Sequence, residues 1–211
     1  MIIYMKILIV SDIVVEHIYS SSIAERMKDI DFVISCGDVP NYYLEFIVSM
    51  LNKPLFYVKG NHCTDRIYTE SGVKPDLPEG CINIDQKVIE YKNVFIMGLE
   101  GSMRYNRGGC QYTDTQMSYK INRLKPKLYL NKLFKKRYID ILVTHAPPYK
   151  IHDQEDLCHR GFSSFNNFIE KFKPKYLIHG HIHIYNAKNN WITEVDGTKI
   201  INAYGYRVIE I

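Results

Sequence analysis

The feature that most constrains this chain is a set of short runs that are apolar without alternation. Lys6–Val10, Asp31–Cys36 and Pro54–Val58 are three of them, and Tyr138–Thr144 and Tyr176–His179 repeat the pattern. A strand with one wet face alternates polar and apolar residues. A run that does not alternate reads as a strand covered on both faces, which is the habit of parallel sheets in α/β proteins. Helical patterns separate the first three runs. Ser22 is placed to cap a helix through about Lys28, with Glu25 in capping-box position. Pro40 opens a second helix through about Met50, with Leu44, Ile47, Val48 and Leu51 on one face. Strand–helix–strand alternation implies right-handed parallel crossovers.

Later segments are more mixed. Val88–Tyr91 and Val94–Gly98 read as a hairpin around Lys92–Asn93, and a glycine- and arginine-bearing loop runs from Gly101 to Gly109. Residues from about Thr113 to Lys136 are helical in pattern and interrupted by Pro126, with a solvated basic face. Phe165–Glu170 reads as a short helix. Trp191–Val195, Lys199–Asn202 and Arg207–Ile211 read as antiparallel strands with an Asp196–Gly197 turn. No repeat or linker divides the chain, so one domain over residues 1–211 is expected.

Composition closes off several classes. A hydrophobic fraction of 46% in 211 residues supplies a real core and excludes disorder as the main state. No apolar run reaches the roughly 20 residues of a membrane helix, and Met1–Tyr4, followed at once by Lys6, lacks the signal-peptide pattern. The five cysteines are odd in number, widely spaced and without C-x-x-C, so a reducing cytoplasm is expected. A net charge of +4 suits anionic substrates but is no concentrated basic stripe, so nucleic acid is not the favoured partner. No protein partner is implied.

The chemistry lies at the strand ends. Each strong run stops at a residue able to bind a metal or move a proton: Asp12, Asp38, Asn61–His62, His145 and His181–x–His183. In sheets with parallel strands, ligands gather outside the carboxyl ends. Five separated segments therefore project into one crevice. Of the eight histidines, four sit at these ends, which random placement would not produce. Carboxylate, amide and imidazole donors suit Mn, Fe, Zn or Ni, and paired thiolates are missing. One ion needs about four protein ligands, and more converge here. Two ions ~3.5–4 Å apart would use them all, the usual arrangement for hydrolysing phosphate esters.

Gly37–Asp38, Gly60–Asn61–His62, His145–Ala146 and Gly180–His181–Ile182–His183, each after a strand and in this order, resemble the calcineurin-like metallophosphoesterases. The resemblance spans Lys6 to about Tyr204. It implies a four-layer αββα sandwich of two mixed sheets flanked by helices. It also implies a dinuclear centre whose bridging hydroxide attacks a phosphomonoester, small phosphodiester or nucleotide. By that resemblance Asp12, Asp38 and His183 hold the first ion, Asp38 bridges, and Asn61, His145 and His181 hold the second. His62 would protonate the leaving group. The segments Ser102–Asn106, His145–Pro148, Ile151–Asp153 and Cys158–Phe162 also look like those of a bacterial subgroup of uncharacterised phosphohydrolases.

Two positions depart from the family pattern. Asp-x-His becomes Asp12–Ile13–Val14, so the first ion lacks an imidazole unless Glu16 or His17 fills the place; that site should be the weaker one, with Mg admissible. The acid that usually follows Asn-His is replaced by Cys63, leaving Asp65 or a backbone carbonyl to orient His62. Decay at these positions would suit a non-catalytic binding module, and the basic stretch Lys120–Arg137 would suit a nuclease; both are weighed as alternatives. His179 reads as a core histidine and His17 as a surface one. Arg104 and Asn106, with His152, His159 and Arg160 in the loop after His145, are candidate substrate contacts, because such a loop must border the site.

Overall fold

The computed structural model describes residues 4–62, 66–69, 72–185 and 190–211. Its first sheet has the order β15-β1-β2-β3-β6, where β1 is Lys6–Ser11, β2 Phe32–Ser35, β3 Leu55–Tyr57, β6 Ile82–Asn83 and β15 Gly205–Glu210. Its second has the order β13-β14-β12-β11-β8-β7, where β7 is Lys87–Tyr91, β8 Val94–Leu99, β11 Ile141–Thr144, β12 Tyr176–His179, β13 Ile192–Val195 and β14 Thr198–Asn202. Two small pairs complete the strands: β4 (Arg66–Thr69) with β5 (Gly72–Pro75), and β9 (Ser102–Met103) with β10 (Gln111–Tyr112). The helices are α1 (Ile23–Arg26), α2 (Asn41–Leu51), α3 (Asp114–Lys135) and α4 (Ser163–Phe172).

The lack of alternation in the strands has a direct structural cause. In β1, Ile7 and Ile9 point into a layer between the sheets, where they meet Phe32, Ile34, Ile96, Ile141 and Ile178. Leu8 and Val10 point the other way, into a layer closed by Tyr43, Leu44, Ile47 and Leu51 of α2 and Ile23 of α1. On the far side, Met97, Leu142 and Leu177 pack under Ile121, Leu124 and Leu128 of α3 and Phe165, Phe168 and Phe172 of α4. Three apolar layers between four structural ones make the αββα sandwich. All its central pairings, β1–β2, β2–β3, β8–β11 and β11–β12, are parallel. The carboxyl ends of β1, β2, β3, β11 and β12 thus face one edge of the molecule.

Local expectations fail where tertiary contacts decide. α1 is a single turn whose Ser22 is itself helical and makes no side-chain cap; its hydroxyl instead meets Ser20 and Arg26. Pro126 does not interrupt α3, which runs unbroken and starts with a Thr113–Gln116 capping box. A proline inside a helix costs about 3 kcal/mol, but the buried Leu124 and Leu128 on either side hold the helix to the sheet. Lys92 and Asn93 both take positive φ, 46° and 66°, as a tight two-residue hairpin requires. The tail does not form one antiparallel sheet. β13 and β14 pair around Asp196–Gly197, but β15 crosses to the first sheet and pairs antiparallel with β1.

Candidate metal centre

Asp12, Asp38 and His181 each follow their strands with left-handed backbones, φ 68°, 54° and 68°. This conformation costs an L-residue roughly 1–2 kcal/mol, and Asp and His are among the residues that tolerate it best. It turns the chain back at the carboxyl edge. Glycines make the turns close enough to matter. A Cβ on Gly60 would fall 2.0 Å from Asp38 Oδ1, and one on Gly180 would fall 2.8 Å from Asp12 Oδ2.

His145 is fully buried at the centre of the cluster. Its Nδ1–H donates to the Cys36 carbonyl at 2.7 Å, which leaves Nε2 facing Asn61 Oδ1 at 2.9 Å and Asp38 Oδ2 at 3.1 Å. Asn61 is oriented by donating its Nδ2–H to the Tyr105 hydroxyl at 3.0 Å. Asp38 also accepts from the His62 backbone N–H at 3.1 Å. Two oxygens crowding one imidazole nitrogen require positive charge between them, either a proton or a cation. The ionisations record the same demand. Burial pushes the Asp38 carboxyl up, yet the His145 charge and hydrogen bond outweigh it and hold the group at about 2. Burial lowers His145, and Asp38 reverses this to about 9.

His181 completes the group from β12. Its Nε2–H donates to the Cys158 carbonyl at 2.8 Å, so Nδ1 keeps the lone pair. Its backbone N–H is held by both Asp12 oxygens at 3.0 and 3.1 Å. Burial first, then the neighbouring His145, lowers His181 to about 3, so the ring is a neutral donor. One ligand atom each from Asp38, His145 and His181 lie within 4.8 Å of one another. Carboxylate, amide oxygen and imidazoles in this spacing fit a divalent ion of the Mn–Zn series.

The other sequence candidates are placed unequally. Asp12, His62 and His183 line the same cleft, with His62 and His183 exposed. The His183 ring is turned to the Tyr185 hydroxyl at 2.8 Å and lies 4.7 Å from the Tyr204 ring. His159 lines the cleft, 5.2 Å from the His181 ring. Four substrate candidates point elsewhere. Arg104 binds the Gln111 carbonyl and Gln116 Oε1, tying β10 to the start of α3. Asn106 closes its own loop on Gly108 and Gln111. His152 sits between His179 and Thr193, at 2.9 and 2.8 Å, and Arg160 is exposed away from the cleft. His179 is buried, as expected of a core histidine.

Neither substitute proposed for the missing imidazole is among the residues lining the cleft. His17 is exposed and stacks on Tyr206, Glu16 is exposed, and Val14 packs with the apolar layer under α2. Cys63 and Asp65 lie outside the described residues. Sequence reasoning misses the roles of Tyr105 and the Cys158 carbonyl, and the steric part played by the glycines beside the candidate ligands. The glycines do leave a signal, since one stands immediately before Asp38, Asn61 and His181.

The cleft measures about 930 Å³. From the cluster it extends between α2 and residues 76–79, along Tyr42, Glu45, Leu77 and Glu79. Among the described residues, no helix is long and apolar enough to cross a membrane.

A family model for calcineurin-like phosphoesterases matches residues 5–185. No curated protein matches the chain at a significant level. Solved structures do. One crystal structure aligns over 99% of this chain and 95% of its own, with TM-score 0.67 and 14% identity. The crystal structure of TT1561 of Thermus thermophilus aligns over 96% and 90%, with TM-score 0.62 and 14% identity. GAP50, the anchor in the inner membrane complex of Plasmodium, aligns over 94% and 71%, with TM-score 0.54 and 14% identity. At such identity the likeness is one of fold.

Proposed function

Because this chain belongs to the calcineurin-like phosphoesterase family and is a metal-dependent phosphoesterase, we propose that its substrate is a small phosphomonoester or phosphodiester, nucleotides included. The observation that carries the reading is the convergence of Asp38, Asn61, His145 and His181 at the base of a 930 Å³ cleft. We assign Asn61, His145 and His181 to one divalent ion, Asp12 and His183 to a second, and Asp38 to both. Ions held there supply Lewis-acid neutralisation of phosphoryl oxygens and an activated water.

The chain's own groups do the rest. The Cys36 and Cys158 carbonyls fix the tautomers of His145 and His181, so the lone pairs point into the site. The left-handed turns fix where the carboxylates sit. His62 stands exposed on the cleft wall beside Asn61, where its ring can protonate a departing alkoxide. The organic part of the substrate lies along Tyr42 and Leu77. The carboxylates of Glu45 and Glu79 on that wall disfavour a polyanionic strand. Three members of the basic stretch Lys120–Arg137 are already paired: Lys120 is buried against Asp85 and Glu100, Lys135 pairs with Glu90, and Arg137 is bound to Asp140 and Asn93.

The test is turnover by manganese-loaded protein of an aryl phosphate, an aryl phosphodiester, and cyclic and linear nucleotides. Asp38→Ala is the control and should be inactive. Turnover of none of these above the metal-only rate overturns the reading.

A further inference from the structure

We propose that Cys158, His159 and His181 form a second metal site, suited to a thiophilic divalent ion such as zinc, whose occupation withdraws His181 from the hydrolytic group. The inhibitory consequence rests on the functional reading above; the site itself does not.

The geometry is that of a ligand set. One ligand atom each from Cys158, His159 and His181 lie within 4.8 Å of one another, the same spacing found for Asp38, His145 and His181. Cys158 is a free thiol, partly exposed on the cleft wall, so an ion can reach it from solvent. His159 is already oriented. Its Nδ1 lies 3.0 and 2.9 Å from the two Asp156 oxygens, and its backbone N–H donates to Asp156 at 3.1 Å. Nε2 is therefore the nitrogen left to coordinate. A carboxylate behind an imidazole is the usual support of a ligating histidine.

The two ligand sets select different ions. One thiolate with two imidazoles is a soft set, favoured by zinc and leaving a fourth position open to water or substrate. The set around Asp38 is harder and accepts manganese or magnesium. Binding at Cys158 releases the thiol proton to solvent.

His181 cannot serve both sets. A neutral imidazole has one lone pair, on the nitrogen that lacks the proton. Here Nε2 carries the proton and donates to the Cys158 carbonyl, so the lone pair is on Nδ1. Coordination through Nε2, the nitrogen beside Cys158, moves the proton to Nδ1 and silences it as a donor. A thiophilic ion at the mouth and a hydrolytic ion at the base thus compete for one ring.

Cobalt is the spectroscopic probe, titrated into the reduced, metal-stripped full chain. A near-ultraviolet thiolate-to-cobalt band should appear and saturate. It should be lost in Cys158→Ser and in Cys158→Ala, and kept in Asp38→Asn. A band that is absent from the wild type, or undiminished in both Cys158 variants, overturns the site. In manganese-loaded protein, zinc inhibition relative to each protein's own rate should need at least tenfold more zinc in Cys158→Ser; equal sensitivity overturns the competition. Should no substrate be hydrolysed while the cobalt band behaves as stated, the functional reading fails and the metal site stands.

Discussion

Gly60→Ala tests the construction of the centre without removing any ligand. Gly60 does not have a positive φ, so the substitution adds a methyl group and little backbone strain. That methyl falls 2.0 Å from Asp38 Oδ1, 2.2 Å from Cγ and 2.8 Å from Oδ2. To regain ordinary contact the carboxylate must retreat by about 1.4 Å. It has no free route. Asp38 is pinned by the His62 N–H and by His145 Nε2, both at 3.1 Å. Retreat breaks both bonds, and leaving a buried polar group unsatisfied costs about 1–3 kcal/mol. For a chain of this length that lowers the melting temperature by roughly 2–4 °C per kcal/mol. The catalytic effect should be larger, because a misplacement of ~1 Å can cost about 10²-fold in rate. The assays are metal content, thermal unfolding and turnover of an aryl phosphate. A folded Gly60→Ala protein with wild-type metal affinity and a rate within threefold would refute the claim that this glycine positions Asp38.

His62→Ala should keep its metal and lose rate unequally, about 10²–10⁴-fold on an alkyl ester and far less on a nitrophenyl ester; equal losses on the two would remove His62 as the acid. Metal returned to chelated protein should bind with two unequal affinities. Val14→His should tighten the weaker by about tenfold, worth about 1.4 kcal/mol, as read by calorimetry, and an unchanged isotherm would place the missing ligand elsewhere. Phe168→Ala, at a site 1% exposed between α4 and the second sheet, should cost about 3–5 kcal/mol in denaturant unfolding while metal content stays normal.

The strands and their ends are legible because burial on both faces writes itself into the sequence as unbroken apolar runs. The candidate ligand positions follow from where those runs stop. What is not legible depends on contacts distant in the chain. In the sequence Arg104 reads as a candidate substrate contact; its partners, the Gln111 carbonyl and Gln116, lie in β10 and in the first turn of α3. His152 looks like part of a cleft wall, but it turns inward to His179, 27 residues away. β15 carries nothing that distinguishes pairing with β14 from pairing with β1, and only the closed sheet selects the latter. Pro126 misleads in the same way, since local propensity cannot count the side chains that hold a helix down.

The two halves of the centre are prepared to different degrees. Around Asp38, Asn61 and His145 the chain makes its own network, with every ring and amide oriented by a hydrogen-bond partner. An ion arriving there replaces a proton among donors already in place, so little ordering is lost on binding. Around Asp12 and His183 less is fixed. Asp12 is held by the His181 backbone, but His183 is exposed and bound to Tyr185, and Val14 has joined the apolar layer under α2. On the ligand assignment proposed above, an ion there must order a ring that is exposed to solvent, and must do without the imidazole that Val14 replaces. Both costs fall on the same side. On that assignment the ion on the Asp12 side is the weaker one, for reasons of ligand order as well as of ligand count.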